Sequence, residues 1–292
     1  MFTHVLAVLV VVLCPALAAA QPAVERGRYL VEGIAACGNC HTPKGPQGRP
    51  IADKNLAGGF EITEGFGAAV VPNITPDRET GIGAWTDDEI VRAIREGKHR
   101  DGRTLGPPMP YPFYRGLSDT DVKAIVAYLR AVPAVSNKVA RSRYTVPLPP
   151  AWGPPAGNVP DVPRTDAVRY GAYLAGPVAH CMECHTPHKP EGGPDMTRLG
   201  AGGFAFRGPW GLSYAANITS DPETGVGRWT DSEIVGAIHG ARRGGGRVLP
   251  PMPVDWYVSG ISGEDLKALL AYLRALPPIR NAVPKPEPPK KP

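Results

Sequence analysis

Two short stretches, "CGNCH" (37–41) and "CMECH" (181–185), set two cysteines three apart with a histidine directly after the second. This spacing is the attachment signature of a c-type haem. On one helical turn, two cysteines so placed can form thioethers to the two vinyl groups, and the adjacent imidazole reaches the iron from the proximal side. Other uses of such a pair fit less well. A thioredoxin-like couple needs no following histidine and is flanked by strands that this sequence lacks. A zinc site built on each motif would want a fourth ligand that neither supplies. A local disulfide leaves His41 and His185 without a purpose. Two covalently bound haem c groups (iron) are therefore expected, one on Cys37 and Cys40 with His41 as metal ligand, the other on Cys181 and Cys184 with His185.

The elements that must hold these residues are written twice. At an offset of 144, "NITPDRETGIGAWTDDEIVRAI" (73–94) and "NITSDPETGVGRWTDSEIVGAI" (217–238) are identical at 16 of 22 positions. The cysteine motifs and the segments "LSDTDVKAIVAYLRAVP" and "ISGEDLKALLAYLRALP" follow in the same order, so the repeat is a whole domain rather than a solenoid unit. Thr86 with Glu89, and Thr230 with Glu233, fit capping boxes ahead of helically spaced Ile and Val. Ser118 and Ser262 precede apolar-periodic helices that the prolines at 133 and 277 should stop. A further helix is expected over 25–31, mirrored at 168–174. Strand signals are sparse. Each copy reads as short helices joined by long Gly- and Pro-rich loops, which a large apolar cofactor would give something to fold around.

The 292 residues suit two domains. The apolar run at 5–13 and the small residues at 18–20 read as a secretory signal peptide over 1–20, too short for a membrane span. Cys14 leaves with it. The remaining layout is domain 1 over 21–146, a Pro-rich, semi-rigid linker over 147–163, domain 2 over 164–279, and a tail over 280–292 expected to be disordered. A formal net charge of +5 without basic runs argues against nucleic acid. With no other stretch apolar enough to cross a bilayer, a periplasmic protein is expected, with membrane contact only through partners.

The segments "GRYL", "CGNCHTP", "NITPDRETGIGAWTDDEIVRAIREG" and "PPMP", with their second-copy counterparts, resemble the class I cytochrome c family. The resemblance is to its diheme forms, and in particular to the cytochrome c subunits of bacterial alcohol, aldehyde and gluconate dehydrogenases. It covers nearly all of the chain beyond the leader. It implies an all-α fold of two tandem class I cytochrome c domains wrapped around covalent haems. Those subunits commonly carry three haems, whereas this sequence has two signatures.

The second axial position separates carrier from catalyst, since Met/His ligation closes the iron and raises its potential. Met109 follows His41 by 68 residues and Met252 follows His185 by 67, each before a final helix, where the resemblance places the distal ligand. Core packing is the alternative use of a methionine, but both copies give it the same Pro-Pro-Met-Pro setting, which restricts the loop in advance. Met182 sits between two haem cysteines, and Met196, His180 and His188 lack first-copy partners. Together with His99 and His239, these read as surface or packing residues. Trp85 and Trp229 read as packing rather than as an electron relay. Asn73, Thr75, Asn217 and Thr219 read as loop organisers. Gly27 and Gly171, with Tyr128 and Tyr272, read as the contact between first and last helices.

These residues favour an exported diheme electron-transfer protein. It would take single electrons from a periplasmic dehydrogenase and pass them to a downstream cytochrome, a quinone-linked complex or a terminal oxidase. The competing class is a diheme redox enzyme, such as a cytochrome c peroxidase or thiosulfate dehydrogenase, which needs an iron that is open or unusually ligated. No catalytic residue is assigned.

Overall fold

The computed structural model describes residues 15–289 apart from 191, 242–244, 247, 249, 255 and 256. Most of the expected leader, Cys14 included, and the last three residues of the tail lie outside the described residues. Among the described residues no helix is long and apolar enough to cross a membrane.

The element order repeats as the sequence does. Helix α1 (Pro15–Tyr29), which runs through the cleavage point expected near Gln21, continues into a π-helical turn (Leu30–Ile34) and then α2 (Cys37–His41). The hairpin β1 (Glu61–Glu64)–β2 (Gly67–Val70) follows, then α3 (Asp87–Glu96), α4 (Tyr111–Tyr114), α5 (Asp119–Ala131) and β3 (Arg143–Tyr144). The second copy gives α6 (Ala167–Tyr173), a π-helical turn (Leu174–Val178) and α7 (Cys181–Cys184). The hairpin β4 (Ala205–Gly208)–β5 (Gly211–Tyr214), α8 (Asp231–Ile238) and α9 (Gly263–Ala275) complete it.

The helix signals in the sequence act as expected. Thr86 Oγ1 accepts from Glu89 N at 3.2 Å while Glu89 Oε2 accepts from Thr86 N at 2.8 Å, and Thr230 with Glu233 repeats both bonds. Ser118 and Ser262 cap α5 and α9. Each such cap is worth about 1 kcal/mol.

The all-α expectation is corrected by the hairpins. β1 and β2 pair antiparallel from Glu61↔Val70 to Glu64↔Gly67, and β3 adds to β2; β4 and β5 repeat the hairpin as a two-stranded sheet. The hairpin strands are four residues long, β1 and β4 partly exposed and β2 and β5 mostly half-buried, too short for the periodicity of two to stand out. Over the described part of the tail, Leu212 and Glu287 exchange both backbone hydrogen bonds, at 2.9 and 2.8 Å.

In each copy the first helix crosses the last at a glycine. A Cβ on Gly27 would lie 2.0 Å from the Ala124 carbonyl oxygen and 2.6 Å from Tyr128 Cβ; on Gly171 it would lie 2.0 Å from the Ala268 oxygen and 2.7 Å from Tyr272 Cβ. Only glycine permits that approach, which brings Leu30, Ile34 and Val122, and likewise Leu174, Val178 and Leu269, into one continuous core shared by both halves.

The halves join by an exchange of polar contacts. Tyr29 donates to Asp265 at 2.7 Å and receives the Ser262 amide at 3.1 Å. Tyr173 donates to Asp121 at 2.7 Å and receives the Ser118 amide at 3.2 Å. The positions correspond at the 144-residue offset, so the joint has approximate two-fold symmetry. The proline-rich stretch between the copies lies along the first of them: Trp152 Nε1 donates to Leu105 O at 2.8 Å, Ala156 N to Glu96 at 2.9 Å, and Asp119 N to Val159 O at 2.8 Å.

Candidate functional site

Both cysteine motifs begin from the same backbone feature. Ala36 and His180, immediately before Cys37 and Cys181, take left-handed conformations with φ of 50° and 40°. Non-glycine residues pay conformational energy there, and the same strain at equivalent positions turns each chain from a π-helical turn into the short helix that presents the cysteines.

Cys37, Cys40, Cys181 and Cys184 are free thiols. Burial pushes Cys37 up to about 12, with help from Glu32 and Cys40, and Cys181 up to about 11. Cys40 is raised by burial, although Lys44 opposes the shift. Cys184 is raised by burial, then by Glu183, Cys181 and Cys40. Thiols held protonated in this way are poor metal ligands and poor redox nucleophiles. Among the described residues no three His, Cys, Asp or Glu side chains gather as a metal-holding group. Each attachment turn meets a tyrosine of the other half: Tyr114 packs edge-on against His180, with ring centroids 5.6 Å apart.

The histidines are prepared for ligation. His41 is 8% exposed, and its Nδ1 lies 2.9 Å from Pro72 O; His185, half-buried, sets Nδ1 2.7 Å from Ala216 O. A carbonyl only accepts, so each Nδ1 carries the proton and each Nε2 keeps its lone pair. Burial lowers both imidazole pKa values, favouring the neutral form that binds metal. The carbonyls stand in loops fixed by Asn73 and Asn217. Asn73 Nδ2 donates to Val135 O at 2.8 Å and its Oδ1 accepts from Thr75 N at 2.9 Å; Asn217 does the same with Ile279 O and Thr219 N, at 2.8 and 3.0 Å. These residues thus act as the loop organisers expected. Neutral imidazoles, protonated thiols and apolar surroundings fit a covalent haem in each half.

Met109 and Met252 are half-buried and pack against the shared core. Their loops contain cis peptide bonds at Pro107–Pro108 and Pro250–Pro251, and different partners hold them. Tyr144 donates to Pro107 O at 3.1 Å; Ser213 donates to Pro250 O at 2.7 Å while receiving Trp210 Nε1 at 3.1 Å. The rival side chains are occupied elsewhere. Met196 is 58% exposed and Met182 is 1% exposed within the core. His99 pairs with Asp101 at 2.9 Å and packs edge-on against Trp85, His180 pairs with Glu183 at 3.0 Å, His188 lies against Phe204, and His239 is exposed. Trp85 and Trp229 pack on the core.

The sequence reading missed the clamps Tyr144, Ser213 and Trp152, and it missed Tyr257. A Cβ on Gly38 would lie 2.6 Å from the Tyr257 hydroxyl, so a tyrosine of the second half covers the first attachment turn. Tyr29 and Tyr173 carried a signal, since both stand in the repeated "G-x-Y-L", but nothing along the chain shows that each bonds the other copy.

Residues 24–133 match the profile of the family described as Cytochrome c. The fructose dehydrogenase cytochrome subunit of Gluconobacter japonicus is 33% identical over 273 residues, covering 88% of this chain and 53% of the relative. The cytochrome c subunit of the alcohol dehydrogenase (quinone) of Gluconobacter oxydans (strain 621H) is 33% identical over 275 residues, 88% of this chain and 55% of the relative. A diheme cytochrome c-type protein of Cereibacter sphaeroides is 29% identical over 258 residues, 83% of this chain and 82% of the relative. The chain thus spans little more than half the length of these fructose and alcohol dehydrogenase subunits.

Proposed function

With a cytochrome c domain in residues 24–133 and its segments repeated 144 residues later, we propose that the chain carries two haem c groups and transfers single electrons for an exported dehydrogenase. The observation that supports this most is the sameness of the two halves: each combines a strained Cys-x-x-Cys-His turn, an imidazole with Nδ1 tied to a carbonyl, and a proline-set methionine. The bound haems would supply two one-electron couples. In this reading Cys37, Cys40, Cys181 and Cys184 hold the porphyrins by thioethers. His41 and His185 are the proximal ligands, oriented by Pro72 O and Ala216 O. Met109 and Met252 are the distal ligands and leave no position for peroxide or another substrate. The Tyr29–Asp265 and Tyr173–Asp121 contacts hold the two halves against each other.

Relatives named as cytochrome subunits of fructose, alcohol and gluconate dehydrogenases support a dehydrogenase as the donor. The acceptor is a cytochrome, a quinone-linked complex or a terminal oxidase. Residues 1–20 act as the export leader, giving a periplasmic protein that meets the membrane through its partners. The test is to capture partners from the exported fraction on the holoprotein, then add dehydrogenase substrates singly while following the haem α-bands. Reduction of both haems by one captured dehydrogenase and its substrate is expected. A resting high-spin haem with peroxide turnover would overturn the carrier reading.

A further inference from the structure

The turn that follows each methionine reaches across the joint. Tyr111 N donates to Met109 O at 2.9 Å and Tyr114 N to Pro110 O at 3.0 Å, so a short helical turn ties Met109 to Tyr114. In the second half Val254 N donates to Met252 O at 2.9 Å and Tyr257 N to Pro253 O at 3.3 Å, which ties Met252 to Tyr257 at the same spacing. Both tyrosines are buried, Tyr114 at 6% exposure and Tyr257 at 5%. Each ends on the other half. The Tyr114 ring packs edge-on against His180, which directly precedes Cys181, with centroids 5.6 Å apart. Two residues further on, a Cβ on Gly116 would lie 2.7 Å from Pro177 Cγ in the second π-helical turn. Tyr257 lies over Gly38, between Cys37 and Cys40. A Cβ on Gly38 would meet the Tyr257 hydroxyl oxygen at 2.6 Å and two of its ring carbons at 3.0 and 3.1 Å.

The exchange is reciprocal although the local fit differs. At the position equivalent to Gly38 the second half has Met182, 1% exposed within the core, so the room that Tyr257 uses is filled there and Tyr114 lies against the His180 ring instead. Methionine is a flexible side chain, and its hold on an iron depends on the backbone being kept in place on both sides of it. Tyr144 and Ser213 hold the two loops ahead of their methionines. Tyr114 and Tyr257 hold them behind, and what they rest on is the cysteine turn of the opposite half.

Resting on the reading in which methionine closes both irons, we propose that Tyr114 and Tyr257 are positioning residues that lock each distal methionine through the attachment turn of the other half. Closure of either iron then depends on the docking of the halves. The dependence runs both ways, because a coupling between two sites is reciprocal: a methionine seated on its iron also strengthens the joint. A change in the first attachment turn therefore acts on the second iron, and a change beside the second turn acts on the first.

The test is an imidazole titration of the oxidised holoprotein, followed by loss of the near-infrared sulfur-to-iron absorption. Imidazole takes an iron only where the methionine has left, so its apparent affinity rises in proportion to the open fraction. Met109→Ala and Met252→Ala assign the two phases, since each removes one. Gly38→Ala sets a methyl group against the buried Tyr257 hydroxyl. That overpacking should raise imidazole affinity at the second-half iron about tenfold, while the first-half iron, whose own turn carries the change, moves far less. Adding Tyr257→Phe removes the crowded oxygen and should bring the affinity back toward wild type. His180→Ala deletes the ring against Tyr114 at a left-handed position where the first half already has Ala36, and should raise affinity at the first-half iron about threefold. If Gly38→Ala moves the first-half iron instead, or neither, or if Tyr257→Phe restores nothing, the proposal is overturned. Sulfur-to-iron absorption for two haems in the wild-type protein would then leave the carrier reading standing, whereas its absence there would overturn both.

Discussion

Replacing Gly27 by alanine tests the helix crossing that brings the core of the first half to its attachment turn. The new Cβ would lie 2.0 Å from the Ala124 carbonyl oxygen and 2.6 Å from Tyr128 Cβ. Both obstacles are backbone or backbone-adjacent, so no flexible side chain can yield and α1 must move away from α5 by about 1 Å. Overpacking of this kind costs about 3 kcal/mol, at the upper end of the usual range. Alanine's better helix propensity returns about 1 kcal/mol. The clash wins, and Gly27→Ala should destabilise the holoprotein by about 2 kcal/mol or more, a sizeable part of the 5–15 kcal/mol that holds a typical domain together. Gly171→Ala, whose Cβ meets Ala268 O at the same 2.0 Å, should behave alike. Gly236→Ala is the control: it lies inside α8, and the nearest atom to its Cβ is at 3.7 Å, so it should be neutral or stabilising by up to about 1 kcal/mol. Guanidinium titrations with tryptophan fluorescence and Soret absorbance as paired probes measure all three. A Gly27→Ala protein within about 0.5 kcal/mol of wild type would refute the close crossing, since that is the scale of an ordinary surface change.

The joint between the halves should show an ordered asymmetry. Asp121 receives Arg26 on both oxygens at 2.8 Å as well as Tyr173, whereas Asp265, 1% exposed, has Tyr29 at 2.7 Å and Arg164 no nearer than 3.7 Å. Tyr29→Phe should therefore cost about 2–3 kcal/mol and Tyr173→Phe about 1 kcal/mol, and equal costs in denaturant titrations would contradict this. Acid should loosen the loops behind the histidines. Asp77 is held below the usual carboxylate range by the Thr80 hydroxyl and then the Thr80 amide, and Asp221 by the Thr224 amide and then its hydroxyl. A depressed folded pKa gives stability that is present above the unfolded value and is lost as pH falls through the folded one. Thermal midpoints should thus drop below about pH 4, and Asp77→Asn with Asp221→Asn should flatten that drop; an unchanged slope would count against it.

Much of the site could be read along the chain because its signals are local. Cys-x-x-Cys-His, the capping boxes at Thr86 and Thr230, and Asn73 bonding Thr75 two residues on are settled within a few residues, and repetition made each visible twice. The hairpins escaped because strands of four residues carry too little periodicity. The clamps on the methionine loops escaped for another reason. Tyr144 reaches Pro107 across 37 positions, and Ser213 reaches Pro250 by the same sequence distance, with different residue types in the two copies, so the repeat hid them. Tyr257 over Gly38 and the exchanged tyrosines depend on how the halves meet, which no spacing within one half encodes. The backbone pair formed by the described part of the tail carries no signal in composition. Prolines that cannot fill a core can still follow a strand, and Glu287 bonding Leu212 holds them there.

The central claim is that methionine closes both irons, and near-infrared absorption of the oxidised holoprotein tests it directly. The weak sulfur-to-iron charge-transfer band should be present at an intensity for two methionine-ligated haems. It should fall by about half in Met109→Ala, by about half in Met252→Ala, and vanish in the double variant. A band unchanged by either substitution, or a high-spin haem in the wild-type protein, would contradict the account.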